Sequence, residues 1–211
     1  MKVKTIKQYA LSEETLEKDI DKFILSAQNG EYNYDYKYGQ EGLKLIKAYF
    51  RMIEDEFKKQ NYTECQKCYK KLMFLLLQSE YNYFDYEDIV GKLNFEKLIK
   101  NYFLCLINIF SVEELFNEYV EFLKISEDYE FDSTHKTILS NLNEKQLEQF
   151  RELAEKKAET IKKGDYASYD IIYFILELAQ LKNDPIQYNL FCKKYTHILS
   201  DDEDDEFDAV N

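Results

Sequence analysis

Residues 57–77 read FKKQNYTECQKCYKKLMFLLL, and the way this stretch changes character along its length decides the fold class. Phe57 closes an amphipathic run, and Gln60-Asn61-Tyr62 is a short polar break. Thr63 and Gln66 then stand at capping-box spacing, which predicts a helix starting after Thr63. From Leu72 to Leu77 no polar residue intervenes. A helix without a polar face has to be covered on all sides, so this one is expected at the centre, with other helices flanking it.

The same helical period extends in both directions. Upstream, Leu16, Ile20, Phe23 and Ala27 recur at three- and four-residue steps, predicting a helix capped by Ser12 and closed at Asn29-Gly30. A second helix is expected from about Gln40 to Gln60 on Ile46, Phe50, Ile53 and Phe57. Downstream, Asn94 opens a fourth, the capping box of Ser111 and Glu114 a fifth, and Ser133 to Leu142 is a short sixth. The seventh runs from Asn143 to Lys163 and ends at Gly164, with Glu152 to Lys156 and Glu159 to Lys163 spaced for ion pairs. The eighth, about Tyr166 to Lys182, is apolar nearly all round at Ile171 to Leu176, and Asp184-Pro185 is a cap with first-turn proline for the ninth. The expectation is an all-α protein of about nine helices in stacked antiparallel hairpins, with an irregular helical bundle as the alternative.

Composition points the same way. Five glycines and one proline in 211 residues are too few turn residues for a sandwich, a barrel or a doubly wound sheet. The formal charge of -13 disfavours direct contact with phosphate backbones or anionic membranes. Seven of those charges follow Ser200, at Asp201, Asp202, Glu203, Asp204, Asp205, Glu206 and Asp208. The chain is therefore divided into an N-terminal arm (1–11), a single all-α domain (12–199) and an acidic disordered tail (200–211). No apolar run is long enough for a signal peptide or a membrane span, and the four cysteines are read as reduced thiols, so a cytoplasmic location is expected.

Three breaks resemble one another: Asn29-Gly30-Glu31-Tyr32, Gln60-Asn61-Tyr62 and Lys163-Gly164-Asp165-Tyr166. The first two tyrosines lie 30 residues apart and the third 104 beyond, near multiples of a helix-turn-helix repeat length. Phe57 to Leu72 resembles the hairpin of a tetratricopeptide-like repeat, with Tyr62 as the turn tyrosine and Cys65 at the small position. Lys162 to Leu176 is similar, although Tyr169 stands where the small residue belongs. From about Asn29 to Leu199, the G-x-Y turn, the loop from Tyr81 to Asp88 and the second Gly-Asp-Tyr hairpin resemble the helical region that accompanies bacterial SWIM-type zinc-finger proteins. The finger's Cys-x-Cys and Cys-x-His are absent. The resemblance thus implies a helical interaction module and no nucleic-acid role.

Candidate chemistry is sparse. Cys65 and Cys68 make half of a zinc pattern and are weak metal candidates; the competing reading makes them small apolar residues on a packed helix. His135 and His197 belong to no catalytic motif, and His135 is expected in an exposed polar role. No enzymatic activity, cofactor or metal is therefore called for. Tyrosine stands out, with nineteen copies and no tryptophan. Tyr32, Tyr34, Tyr36 and Tyr38 alternate with other residues, which on an extended segment would put all four on one side, and Tyr81, Tyr83 and Tyr86 with Phe84 form a second cluster. These seven tyrosines are the candidate partner-binding residues, or else rings that close the core between the first two helices. The expected function is non-catalytic protein–protein interaction of the helical-repeat type with an unidentified protein partner. The alternative is an acidic inhibitor, an immunity protein or nucleic-acid mimic, that blocks a basic partner.

Overall fold

The computed structural model describes residues 14–32, 36–78, 83–84 and 89–200, with only the backbone course given for 36–40. The expected arm and all but the first residue of the tail lie outside these. Among the described residues the protein is all-α, with nine α-helices and no strand: α1 (Leu16–Gln28), α2 (Tyr36–Lys58), α3 (Tyr62–Gln78), α4 (Phe95–Ile109), α5 (Val112–Ile125), α6 (Ser133–Asn141), α7 (Glu144–Ala158), α8 (Tyr166–Leu181) and α9 (Pro185–Leu199). A 3-10 turn, Val90–Lys92, precedes α4.

Where one domain was expected over 12–199, packing divides the chain into two compact units. Unit 1 holds residues 1–109 and 131–137; unit 2 holds 110–130 and 138–211, and one dividing line falls within α6. In unit 1, α3 packs against α1, α2 and α4, as its unbroken apolar run requires. Leu72, Met73 and Tyr69 are fully buried, and the Tyr69 hydroxyl accepts a hydrogen bond from Asn101 at 3.2 Å. Unit 2 repeats the plan, with α8 packed by α5, α7 and α9. Its centre is an aromatic cluster in which the Phe150 ring lies 4.8 Å from Phe174, 5.2 Å from Phe116 and 5.5 Å from Tyr119. The buried Tyr119 hydroxyl donates to the Asp170 carbonyl at 3.2 Å.

The predicted caps mostly hold. Asn94 accepts from the Lys97 amide, Ser111 and Glu114 form a reciprocal capping box, and Asp184 accepts from the Gln187 amide ahead of Pro185. Asn143 and Gln146 add a second capping box that the sequence reading did not single out. Four boundaries differ, and the first is that α2 begins at Tyr36 rather than near Gln40. Thr15, not Ser12, caps α1, because its hydroxyl reaches the Lys18 amide. Helix α3 starts at Tyr62, with Thr63 inside its first turn, because the Asn61 carbonyl already accepts from the Cys65 amide. Helix α7 stops at Ala158 rather than Lys163, where the Thr160 hydroxyl takes the Lys157 carbonyl at 2.7 Å; Gly164 sits in a separate turn. The anticipated Glu159–Lys163 pair thereby leaves the helix, and Glu159 pairs with Lys194 at 3.5 Å. His135 is buried on α6 beside Thr134 and Ile138, not exposed.

Two of the three expected breaks, after α1 and α2, share a geometry that also ends α8, where no such break was expected; the third, at Gly164, lies in a turn beyond the end of α7 and does not share it. Each of α1, α2 and α8 ends in a Schellman motif: the Glu31, Asn61 and Asp184 amides return to Ser26, Glu56 and Ala179, while Gly30, Gln60 and Asn183 donate to Ala27, Phe57 and Gln180. The residue at the bend is left-handed each time, with φ of 80°, 64° and 50°. Glycine takes this conformation freely, but at Gln60 the side chain raises its energy by about 1–2 kcal/mol. Gln60→Gly is therefore expected to stabilise unit 1 by up to about 1 kcal/mol in urea unfolding; a loss of stability would show that the Gln60 side chain makes a compensating contact.

Ion pairs tie α1 to α3. Lys71 lies 2.8 Å from Glu17 and 2.7 Å from Asp21, and Lys67 lies 3.4 Å from Glu17. The hydrogen bond from Lys71 holds the Glu17 carboxyl below its ordinary value of 4.5, against a smaller opposing effect of burial. A carboxyl lowered in the folded state adds stability above its unfolded value, and this is lost as pH falls through the folded one. Lys71→Met should thus cost about 1 kcal/mol near neutrality, since the pair is only half-buried and solvent still screens it. The gap from wild type should narrow below pH 4.5 in acid-unfolding curves. A gap that stays constant down to pH 3 would remove Glu17 as its source.

Candidate functional site

The first tyrosine set does not form one extended face. Tyr36 and Tyr38 belong to α2, so the four tyrosines are not carried on one extended segment. Tyr34, Tyr81 and Tyr86 lie outside the described residues, as do the side chains of Tyr36 and Tyr38. Tyr83 is half-buried. Tyr32 is half-buried too, with its ring 5.2 Å from Phe23 and stacked at 6.0 Å on Phe84. Phe23 also meets Tyr49 at 5.2 Å. The Tyr49 hydroxyl donates to the buried Asp19 carboxylate at 3.0 Å, and burial, reinforced by that negative charge, pushes its pKa up.

These rings seal the α1–α2 seam of unit 1, and Gly42 makes room for them. A Cβ at position 42 would lie 2.8 Å from Phe84 Cδ1 and 3.4 Å from the Tyr32 Cβ, so no larger residue fits without moving the ring. Of the two readings of the tyrosines, Tyr32 therefore takes the core-closing one. Elsewhere, Tyr69, Tyr102, Tyr119 and Tyr195 are fully or almost fully buried. Part of the tyrosine excess is thus core material, the ring supplying apolar area and, at Tyr69 and Tyr119, the hydroxyl a hydrogen bond. Tyr32→Ser is expected to destabilise unit 1 by about 1–2 kcal/mol, roughly half the cost of deleting a fully buried ring. Denaturant unfolding reads this directly, and an unchanged midpoint would return Tyr32 to the surface role.

Cys65 and Cys68 are both buried on α3. Cys65 lies where α3 packs on α2, its sulfur 3.5 Å from the Ile53 carbonyl. Its thiol is hydrogen-bonded to that of Cys105, and this contact together with burial pushes the Cys105 thiol up; burial does the same to Cys68. Packing accounts for both residues of the C-x-x-C. Among the described residues no three His, Cys, Asp or Glu side chains are placed to hold a metal. In α8, Tyr169 is half-buried and its hydroxyl accepts from the Gly164 amide at 2.7 Å.

The sequence reading passed over the most exposed apolar surface. In unit 2, Leu181 ends α8 at 57% exposure, and Ile186 and Leu190 stand on α9 at 81% and 58%. Helix α9 buries Phe191, Tyr195 and Ile198. At about 100° per residue, Ile186, Leu190, Lys193 and His197 fall within about 60° of one another on the opposite side. All four are exposed. In a chain with 41 acidic residues, α9 contains none. In the same unit, an open groove of about 880 Å³ runs between the start of α7 and the end of α8, lined by Leu147, Leu178 and Leu181 with Glu144, Lys145, Glu148 and Lys182. The signal was present in the sequence as a second apolar pair, Ile186 and Leu190, lying off the buried stripe of α9.

No family model, curated protein or solved structure matches this chain. Among the described residues, no helix is long and apolar enough to cross a membrane.

Proposed function

We infer that the protein is a non-catalytic interaction module of the helical-hairpin type, and that it captures a protein partner on the outer face of α9. The observation carrying this reading is the stripe of Ile186, Leu190, Lys193 and His197, apolar at one end and cationic at the other, on a helix without a carboxylate. Apolar side chains left this exposed favour association, because covering them removes oily surface from water. The lysine and the imidazole select for acidic groups beside the partner's apolar contacts. The expected partner is thus a protein segment that mixes acidic and apolar residues. The schematic likeness to tetratricopeptide-like hairpins fits this role, since stacked hairpins hold one face rigid while leaving another open.

The acidic-inhibitor reading rests on the formal charge of -13 and gives a different pattern of contacts. The full chain, used as bait in an extract of its source cells, is compared with an Ile186→Asp/Leu190→Asp variant whose circular dichroism matches wild type. Capture should be lost in the variant, with cross-links from the captured protein mapping to α9 through a segment rich in Asp or Glu. Equal capture by both proteins overturns the proposed face. Contacts confined to Asp201 to Asp208, with capture falling steeply as salt rises, would favour the inhibitor instead.

A further inference from the structure

The chemistry required of a partner on α9 is also written in the chain itself. Residues 201–211 read DDEDDEFDAVN, six acidic residues followed by Phe207 and, after Asp208 and Ala209, Val210. We propose that this segment is the resident occupant of the outer face of α9, lying antiparallel along the helix as a strap over Leu190 and Ile186. The proposal rests on the reading of that face as a docking surface and supplies its first ligand.

The order of chemistry matches in that direction. Ser200, the C-cap of α9, has extended backbone, with φ −74° and ψ 129°, so the chain leaves the helix at that point. A segment reversing there meets the polar end of the stripe first, His197 and then the cationic Lys193, and the apolar end afterwards, Leu190 and then Ile186. Its own sequence runs acidic first and apolar second. Reach is sufficient: eleven extended residues span about 36 Å, whereas the stripe from His197 back to Ile186 rises about 17 Å.

Electrostatics favour the same placement. The carboxyl end of a helix carries partial negative charge, so acidic residues immediately beyond α9 are repelled unless cations lie close. Lys193 provides such a cation on the outer stripe, with the His197 imidazole beside it as a polar partner. Lys194 is engaged with Glu159 at 3.5 Å, and Lys182 with Glu148 at 3.1 Å. Covering Leu190 and Ile186 with Phe207 and Val210 then adds apolar burial to the ionic contacts. A partner would bind by displacing the strap, so a substitution that weakens the strap should raise partner affinity.

The absence of tryptophan gives a direct test. Phe207→Trp in the full chain introduces a single reporter indole. Under the strap its emission is blue-shifted relative to a free peptide of residues 200–211 carrying the same substitution, and acrylamide quenches it several-fold less efficiently. Adding Ile186→Asp and Leu190→Asp, both at exposed positions, should restore peptide-like emission and quenching with the circular dichroism unchanged, and molar salt should do so in part. Peptide-like emission in the otherwise unmodified full chain overturns the strap. So does a blue shift that survives the two aspartates, or one that appears only as protein concentration rises, which would assign the contact to a second copy. This experiment reads the isolated protein, so failure of partner capture and failure of the strap are separate results.

Discussion

The architecture of unit 1 depends on covering one helix. Helix α3 has no polar side from Leu72 to Leu77, and water can be kept from it only if α1, α2 and α4 all lie against it. That requirement leaves the connections little freedom. The chain must turn back within a few residues after α1 and again after α2, which it does by placing Gly30 and Gln60 in the left-handed conformation and returning the next amide to the preceding turn. At the α2–α3 crossing the backbones come close enough that a thiol, Cys65, meets the Ile53 carbonyl. In unit 2, α8 imposes the same demand, and Asn183 makes the corresponding turn.

Much of this was legible in the sequence, and the reasons are local. Helix existence followed from apolar spacing, and the caps at Asn94, Ser111 and Asp184 from side chains whose oxygen can reach an amide two or three residues on. Boundaries were read less well where several groups compete for the same backbone atoms. Thr15 reaches the amides of α1 although Ser12 was the expected cap, and Thr160 satisfies the Lys157 carbonyl, ending α7 before Gly164 is reached. The left-handed turn at Asn183 escaped notice because neither glycine nor tyrosine marks it. Division into two units was not legible at all, since it is a property of which helices share neighbours and leaves no composition shift behind.

The candidate site shows the same limit from the other side. Tyrosine abundance draws attention to 32–38 and 81–86, yet Tyr32 packs inward on Phe23 and Phe84. An aromatic residue looks identical in sequence whether it binds a partner or closes a seam. What separates the two is the neighbouring Gly42, whose missing side chain leaves room for the Phe84 ring and tells which way that ring faces. On α9 the informative residues were Ile186 and Leu190, unremarkable in number and telling only once Phe191, Tyr195 and Ile198 are seen to claim the opposite side.

The distribution of sulfur has a consequence of its own. Cys65, Cys68 and Cys105 are closed off inside unit 1, while Cys192 on α9 is partly open to solvent. A thiol-modifying reagent therefore meets two populations in the native chain, one available at once and one released only when the helices around α3 part. The lag between them is an intrinsic clock for the breathing of unit 1, carried by the protein without any label being added.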